Sequence, residues 1–387
     1  MNKDWTTRII HSDAAVPGGF RSLATPVYRG STTLFSDASK VTDQPDVYQA
    51  GYTYGLYGTP TTLELAGRIC ELEGGFRTLI TPGGQCAIST INFAFLKSGD
   101  HILVPESVYG PHRKLTRLLL RRFGVETTFY SPLIGREIEP LFEANTRMVW
   151  CESPGSITME VQDIPSIAAA AHAHGALVAM DNTWAAGVLF DALGHGVDVT
   201  MQAITKYIGG HSDLLLGAIT VKDESAWRTL TEHHQVLGAA ASPDDCSLAL
   251  RGMKTMAVRL QAIESSALHI ARWLSQRPEI ERVLHPALSS CPGHEFWKRD
   301  FQGSSGLFSV LFKPGVTRDQ VLSFVNALEL FEIGYSWGGF ASLAVAYDFT
   351  GFKARPDYGH RVVRLHIGLE NRDDLIADLE RGLEKLR

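Results

Sequence analysis

The sequence predicts an α/β fold: a mostly parallel sheet covered by helices on both faces, preceded by an arm and followed by a smaller α+β domain. Three observations predict it. Between about residues 61 and 252, short apolar runs alternate with stretches of helical periodicity. That is the pattern of buried parallel strands joined by helical crossovers. Before it, strings such as GGFRSLATPVYRGSTTLF and DVYQAGYTYGLYGTPTT are rich in Gly, Pro, Thr, Tyr and Ser and show little helical periodicity. After it, a long amphipathic pattern, SLALRGMKTMAVRLQAIESSALHIARWL, leads into further strand and helix segments.

The elements follow in order. Residues 1–57 read as an extended arm with turns. With few apolar positions of its own, the arm is expected to lie on a partner subunit. Residues 58–252 form the expected large domain. Residues 62–72 predict a helix ended by Gly74-Gly75, and 76–80 a strand stopped by TPGG. Then come a helix at 85–96, a strand at 101–104, a helix at 109–123, and strands at 125–130 and 147–151. A helix at 164–174 precedes the wholly apolar strand 176–180, and 199–204 and 215–221 read as further strands, with right-handed crossovers the default. Residues 253–387 form the expected C-terminal α+β domain, with strands at 307–312 and 362–367 and helices at 318–328 and 373–386.

Composition narrows the function classes. The 387 residues, 44% hydrophobic and 20% charged, are those of an ordinary globular protein of two or three domains. A net charge of −6 argues against a nucleic-acid partner. The one basic cluster, His112-Arg113-Lys114, Arg117 and Arg121-Arg122, alternates with Leu115, Leu118 and Leu119 and reads as the solvated face of an amphipathic helix. Five widely spaced cysteines without a C-x-x-C string predict a reducing compartment rather than a disulfide framework. The opening MNKDWTTRIIHSD has no apolar signal region, and no apolar run is long enough for a membrane span, so a cytoplasmic protein is expected. His172 and His174 are two apart on a helix and face different ways, so no metal site is expected.

In parallel sheets, ligands bind outside the carboxyl ends of the strands, which selects three loops. Thr81-Pro82-Gly83-Gly84-Gln85 joins a strand to a helix, so its backbone N–H groups and the helix N-terminus can cradle an anion. Asp181, in MDNTW, follows a buried strand; it is either a helix cap or a carboxylate facing a cationic ligand atom. Lys206, in QAITKYIGGHSD, follows another strand at the sheet rim, where a lysine is either a plain surface charge or a nucleophile toward carbonyls. Together the loops offer an anion cradle, a carboxylate and an amine, the set that pyridoxal phosphate requires.

The strings YGLYGTPTT, SVYGP, ESPGSITMEVQD, MDNTW, QAITKYIGGHSD, GYSWGG and RLHIGLE, spread over essentially the whole length, resemble the Cys/Met-metabolism family of pyridoxal-phosphate enzymes. SPGS, DNTW and YSWGG resemble its β-acting lyases more than its γ-acting members. The resemblance implies the fold of the aspartate-aminotransferase type and pyridoxal phosphate covalently held by Lys206. It implies Asp181 at the pyridinium nitrogen and Tyr109 stacked on the ring, both with Lys206 in the catalytic set. Gly84, Gln85 and Thr205 would surround the phosphate, joined by Tyr54 from the neighbouring subunit. Arg364 would bind the substrate α-carboxylate, with Ser336, Trp337 and Tyr54 around the substrate and Trp184 shaping the pocket. It further implies a homotetramer built of dimers, and cleavage of L-cystathionine or related cysteine S-conjugates to a thiol, pyruvate and ammonia. One position departs: where the family arm reads Y-x-R, this chain has Tyr54-Gly55-Leu56, and a leucine cannot neutralise a phosphate.

Other readings remain open at this point. A γ-acting relative (cystathionine γ-synthase or γ-lyase, methionine γ-lyase, or an O-acylhomoserine sulfhydrylase) would keep the same cofactor residues. A serine hydrolase is read from Gly334-Tyr335-Ser336-Trp337-Gly338, with Asp348 and His360 or His366 following in order. A non-enzymatic regulator that kept the fold has Leu56 as its only support.

Overall fold

The computed structural model describes residues 4–10, 22–43, 46–350 and 358–386. The arm expected over residues 1–57 therefore lies partly outside the described residues. Its described part is tethered to the same chain: Thr32 bridges Tyr54, and the Gly55 N–H donates to the Ser31 carbonyl at 2.7 Å.

Seven strands build the first sheet: β1 (Arg77–Thr81), β2 (His101–Pro105), β3 (Glu126–Tyr130), β4 (Thr146–Glu152), β5 (Leu177–Asp181), β6 (Val199–Ala203) and β7 (Gly217–Val221). Their order is β1-β7-β6-β5-β4-β2-β3. From β3 to β6 every neighbouring pair is parallel, while β7 runs antiparallel to both β6 and β1. The mostly parallel sheet expected from the apolar runs is thus present, with one reversed strand. Successive residues point to opposite faces. Ile102, Met148 and Trp150 join the core under helix Gly84–Phe95, while Leu103, Val149, Cys151, Val178 and Met180 join the core on the other face.

The second sheet has the order β10-β11-β9-β8, from β8 (Ile280–Leu284), β9 (Leu307–Phe312), β10 (Leu343–Tyr347) and β11 (Val362–His366), and is antiparallel throughout. Its core of Phe308, Val310, Phe312, Val363 and Leu365 packs against Ile270 and Leu274. β8 and β10 are absent from the sequence reading. In β8 the charged pair Glu281-Arg282 interrupts the apolar run, and β10 follows a glycine-rich loop without periodicity.

Local chemistry sets the helix ends. Helix Pro60–Glu73 starts with Thr59 as cap and proline in the first turn, and stops at Gly74, φ 67°. The long amphipathic pattern is two helices, Pro243–Met253 and Met256–Leu274. Periodicity runs through the break because Leu250, Met253, Met256 and Leu260 all face one core.

The basic helix needs correcting in part: Lys114, Arg117, Arg121 and Arg122 are exposed as expected, but His112 and Arg113 are not. Helix Gly110–Leu115 passes into a wider turn at Thr116–Leu120. That turn shifts the helical phase, so spacing counted at 3.6 residues misplaces the faces. His112 is buried edge-on against Trp150, and Arg113 is buried and paired with Glu106 at 2.8 Å, while Leu118 and Leu119 are exposed. Among the described residues, no helix is long and apolar enough to cross a membrane.

Candidate active site

The site lies beyond the carboxyl ends of β1, β4, β5 and β6. β5 ends on Asp181, whose register partner on β4 is Glu152, so two carboxylates stand side by side at the sheet rim. Asp181 is half-buried and accepts from the Thr183 N–H at 3.0 Å. Burial pushes its carboxyl above the usual range, against the opposing pull of Thr183 and of the Lys206 charge.

Lys206 sits three residues past β6 on a loop that returns directly as the antiparallel β7. The loop is pinned at its base: the Thr205 N–H donates to the Leu216 carbonyl at 3.3 Å, and the Leu216 N–H to Thr205 Oγ1 at 3.1 Å. Burial, then repulsion from Arg364, lowers the Lys206 ammonium to about 8, while Asp181 holds it up. Its Nζ donates to Ser336 Oγ and lies 5.3 Å from the Trp337 ring centroid.

Ser336 and Trp337 reach Lys206 from the loop before β10. That loop passes so close that a Cβ on Gly338 would lie 2.9 Å from the Tyr207 nitrogen and 3.0 Å from Lys206 Cα; with φ at +83°, only glycine fits. Arg364 on β11 is 8% exposed, donates to the Ser336 carbonyl at 3.1 Å, and has its guanidinium 5.3 Å from the Tyr347 ring centroid. Tyr109 is fixed by its N–H, which donates to Glu152 Oε2 at 2.7 Å. Burial, then the charges of Asp181 and Glu152, raise its phenol, so the ring stays neutral.

On the β1 side, Gly83 precedes helix Gly84–Phe95 without a side-chain cap, leaving the first-turn N–H groups free of a side-chain acceptor. A Cβ on Gly84 would approach Ala203 Cβ to 2.8 Å, so glycine is what lets this turn sit against the end of β6. Gln85 is exposed at the same turn.

The fold thus brings Lys206, Asp181, Tyr109, Arg364, Ser336 and Trp337 together, with Gly84, Gln85 and Thr205 at the adjoining strand ends. Tyr54 is not brought in: it is 48% exposed on the arm and is not among the groups acting on Lys206, Asp181, Tyr109 or Arg364. Leu56 is half-buried and lines a small pocket of its own chain with Trp227, Thr231 and His234. Trp184, expected beside the substrate, is buried instead, and its indole donates to the Leu307 carbonyl at 3.0 Å, tying β5 to β9. The sequence reading missed Glu152, although the rule that selected Asp181, a carboxylate directly after a buried strand, selects it too. It also missed Tyr347 beside Arg364, and it named His366 only as a hydrolase candidate; that histidine is buried, and its Nε2 accepts from the Gly338 N–H at 3.1 Å.

The hydrolase geometry is not formed. No helix follows Ser336, its Oγ meets Lys206 rather than a histidine, and Asp348 lies 3.8 Å from Arg318.

Comparison with known proteins decides the family. The family described as "Cys/Met metabolism PLP-dependent enzyme" matches residues 6–384. The chain belongs to that family. Cystathionine beta-lyase MetC of Escherichia coli is 43% identical over 86% of this chain and 86% of its own length. Cystathionine beta-lyase of Haemophilus influenzae is 39% identical over 99% of this chain and 98% of its own. The crystal structure of cystathionine gamma-lyase from Lactobacillus plantarum complexed with L-serine superposes with a TM-score of 0.90 at 27% identity, covering 99% of each chain. The chain is therefore a pyridoxal-phosphate-dependent enzyme with the fold of this family.

The residues present fit that cofactor. The uncapped glycine turn suits a phosphate. The rim carboxylate suits a protonated ring nitrogen, and a lysine lowered to about 8 is neutral often enough to attack an aldehyde.

Proposed function

We propose that the chain is a carbon–sulfur β-lyase that cleaves L-cystathionine to homocysteine, pyruvate and ammonia. The observation that carries the chemistry is the convergence of a weakly basic Lys206, the Asp181 carboxylate and the buried Arg364 guanidinium. What supports the β-acting branch is the likeness to the two β-lyases over most of the chain.

When bound, pyridoxal phosphate supplies an electron sink for negative charge developing at the substrate Cα. In this reading Arg364 holds the α-carboxylate, and the Ser336 carbonyl that it donates to keeps its planar fork aimed. Lys206 would hold the cofactor and, as a free amine, would take the Cα proton, with Ser336 Oγ steering its Nζ. Asp181 places negative charge where the ring nitrogen is protonated. Tyr109, kept neutral, would lie against the ring and could hand on a proton. Gly84, Gln85 and Thr205 hold the phosphate. A homotetramer in the cytoplasm, with Tyr54 entering from the neighbouring subunit, completes the proposal.

The deciding experiment assays products from L-cystathionine. Pyruvate and homocysteine are expected; 2-oxobutyrate and cysteine would transfer the chain to the γ-acting branch, which shares every cofactor residue.

Two further results are expected. Arg364→Lys replaces a planar fork with a point charge and should raise KM by about 10–100-fold, with kcat changing far less. The check is steady-state kinetics on L-cystathionine. Uptake of pyridoxal phosphate by cofactor-free protein requires the neutral Lys206 amine. Because its folded value is about 8, the uptake rate should rise close to tenfold per pH unit below 8 and level off above it. Stopped-flow absorbance across pH 6–10 reads this directly; a plateau reached only near the ordinary lysine value would contradict it.

A further inference from the structure

We propose that the polar cavity behind β5 and β6 is a binding site for a monovalent cation of potassium or ammonium size, held by Glu73, Asn182 and Thr200.

Glu73 closes helix Pro60–Glu73 and is only 7% exposed. Neither carboxylate oxygen has a hydrogen-bond partner. The groups acting on it are the side chains of Thr220, Gln202, Thr200 and Asn182, none of them charged. Arg8 also lines the cavity with its Nε buried and unpartnered, but its guanidinium donates to the Glu71 carbonyl and is not among the groups acting on Glu73.

Two further oxygens share the condition of Glu73: Asn182 Oδ1 and Thr200 Oγ1 are buried and without a partner, as are two donors, Gln202 Nε2 and Arg8 Nε. The Asn182 amide nitrogen donates to the Phe190 carbonyl at 3.2 Å, which fixes the side of that amide left free. The cavity these residues line has a volume of about 380 Å³. Gly187 holds the cluster open: at φ +68°, a Cβ there would lie 2.1 Å from Gln202 Nε2 and 3.1 Å from Glu73 Cγ.

A buried carboxylate without a counter-charge takes up either a proton or a cation. One proton would satisfy one of the four free oxygens. A monovalent cation addresses all four; Glu73 alone is too little charge for a dehydrated divalent ion, the other lining carboxylate, Asp191, being exposed and already accepting from the Gly194 N–H. The site adjoins the chemistry, since Asn182 directly follows Asp181, but the inference does not depend on the reaction assigned to the chain.

The test is the melting temperature of the purified holoenzyme in the chlorides of potassium, ammonium, sodium and tetramethylammonium at equal ionic strength. Potassium or ammonium at about 100 times its dissociation constant should raise the midpoint by roughly 3 °C over tetramethylammonium. In Glu73→Gln, which keeps shape and loses charge, the rise should vanish. Thr200→Val, which removes a single oxygen, should weaken apparent potassium affinity roughly fivefold and keeps the test alive if Glu73→Gln does not fold. Crystals soaked in rubidium should show an anomalous peak between Glu73 and Asn182. Equal midpoints in all four salts, an undiminished rise in Glu73→Gln, or no rubidium peak would each overturn the proposal and leave the cavity to a proton and water.

Discussion

Lys206→Ala is expected to abolish the visible absorption of the bound cofactor and to lower cystathionine cleavage by at least about 10³-fold, the range lost with a positioned general base. Two roles leave together: the amine that carries the cofactor and the amine that takes the Cα proton. The fold should survive. Lys206 is a cation in a buried place beside another cation, Arg364, so its removal relieves repulsion within the site. The measurement pairs an absorption spectrum and circular dichroism with pyruvate release. A second reading adds methylamine to the variant: a small amine entering the vacated space should restore part of the rate, whereas Lys206→Arg, too basic to give up its proton, should not. A Lys206→Ala protein that keeps its cofactor spectrum and most of its activity would remove the lysine from the mechanism.

Asp181→Asn should cost about 10²–10³-fold in kcat. The amide still accepts from the Thr183 N–H, so the strand end keeps its shape, but the negative charge proposed to face the cofactor ring is gone. The same substitution makes a second, independent prediction. Asp181 is the group that holds the Lys206 ammonium up, against burial and Arg364. Without it, Lys206 should lose its proton at still lower pH, and the plateau in cofactor uptake should move to the acid side of 8. A lowered kcat with an unmoved plateau would mean that Asp181 and Lys206 do not communicate through charge.

Much of this was legible before any coordinates. The wholly apolar run 176–180 and the largely apolar runs of β2, β4 and β7 announce buried strands, and Thr59-Pro60 and Gly74 bracket a helix by cap chemistry alone. What escaped is what local pattern does not encode: a wide helical turn at Thr116–Leu120, a break at Lys254-Thr255 inside an unbroken apolar stripe, and β8 with its charged centre. The site divides in the same way. Asp181, Lys206 and the Gly83-Gly84 turn follow from one rule about strand ends. Arg364 and Ser336 do not, because the contact between Ser336 and Lys206 spans 130 residues of chain and is created by packing of the second sheet on the first. Those two came from resemblance. Glu152, which ends β4 as Asp181 ends β5, is accessible to the same strand-end rule.

The two sheets contribute unlike parts. Lys206, Asp181 and the glycine turn hang from the first; Arg364, Ser336 and Trp337 arrive on loops and strands of the second. The seam between them is narrow, with Gly338 threaded against the Lys206 backbone and Trp184 bonded to β9. For natural selection this is a partition of risk. On the proposed roles, changes on the second side of the seam would alter which amino acid is accepted, while the residues assigned to the cofactor stay in place.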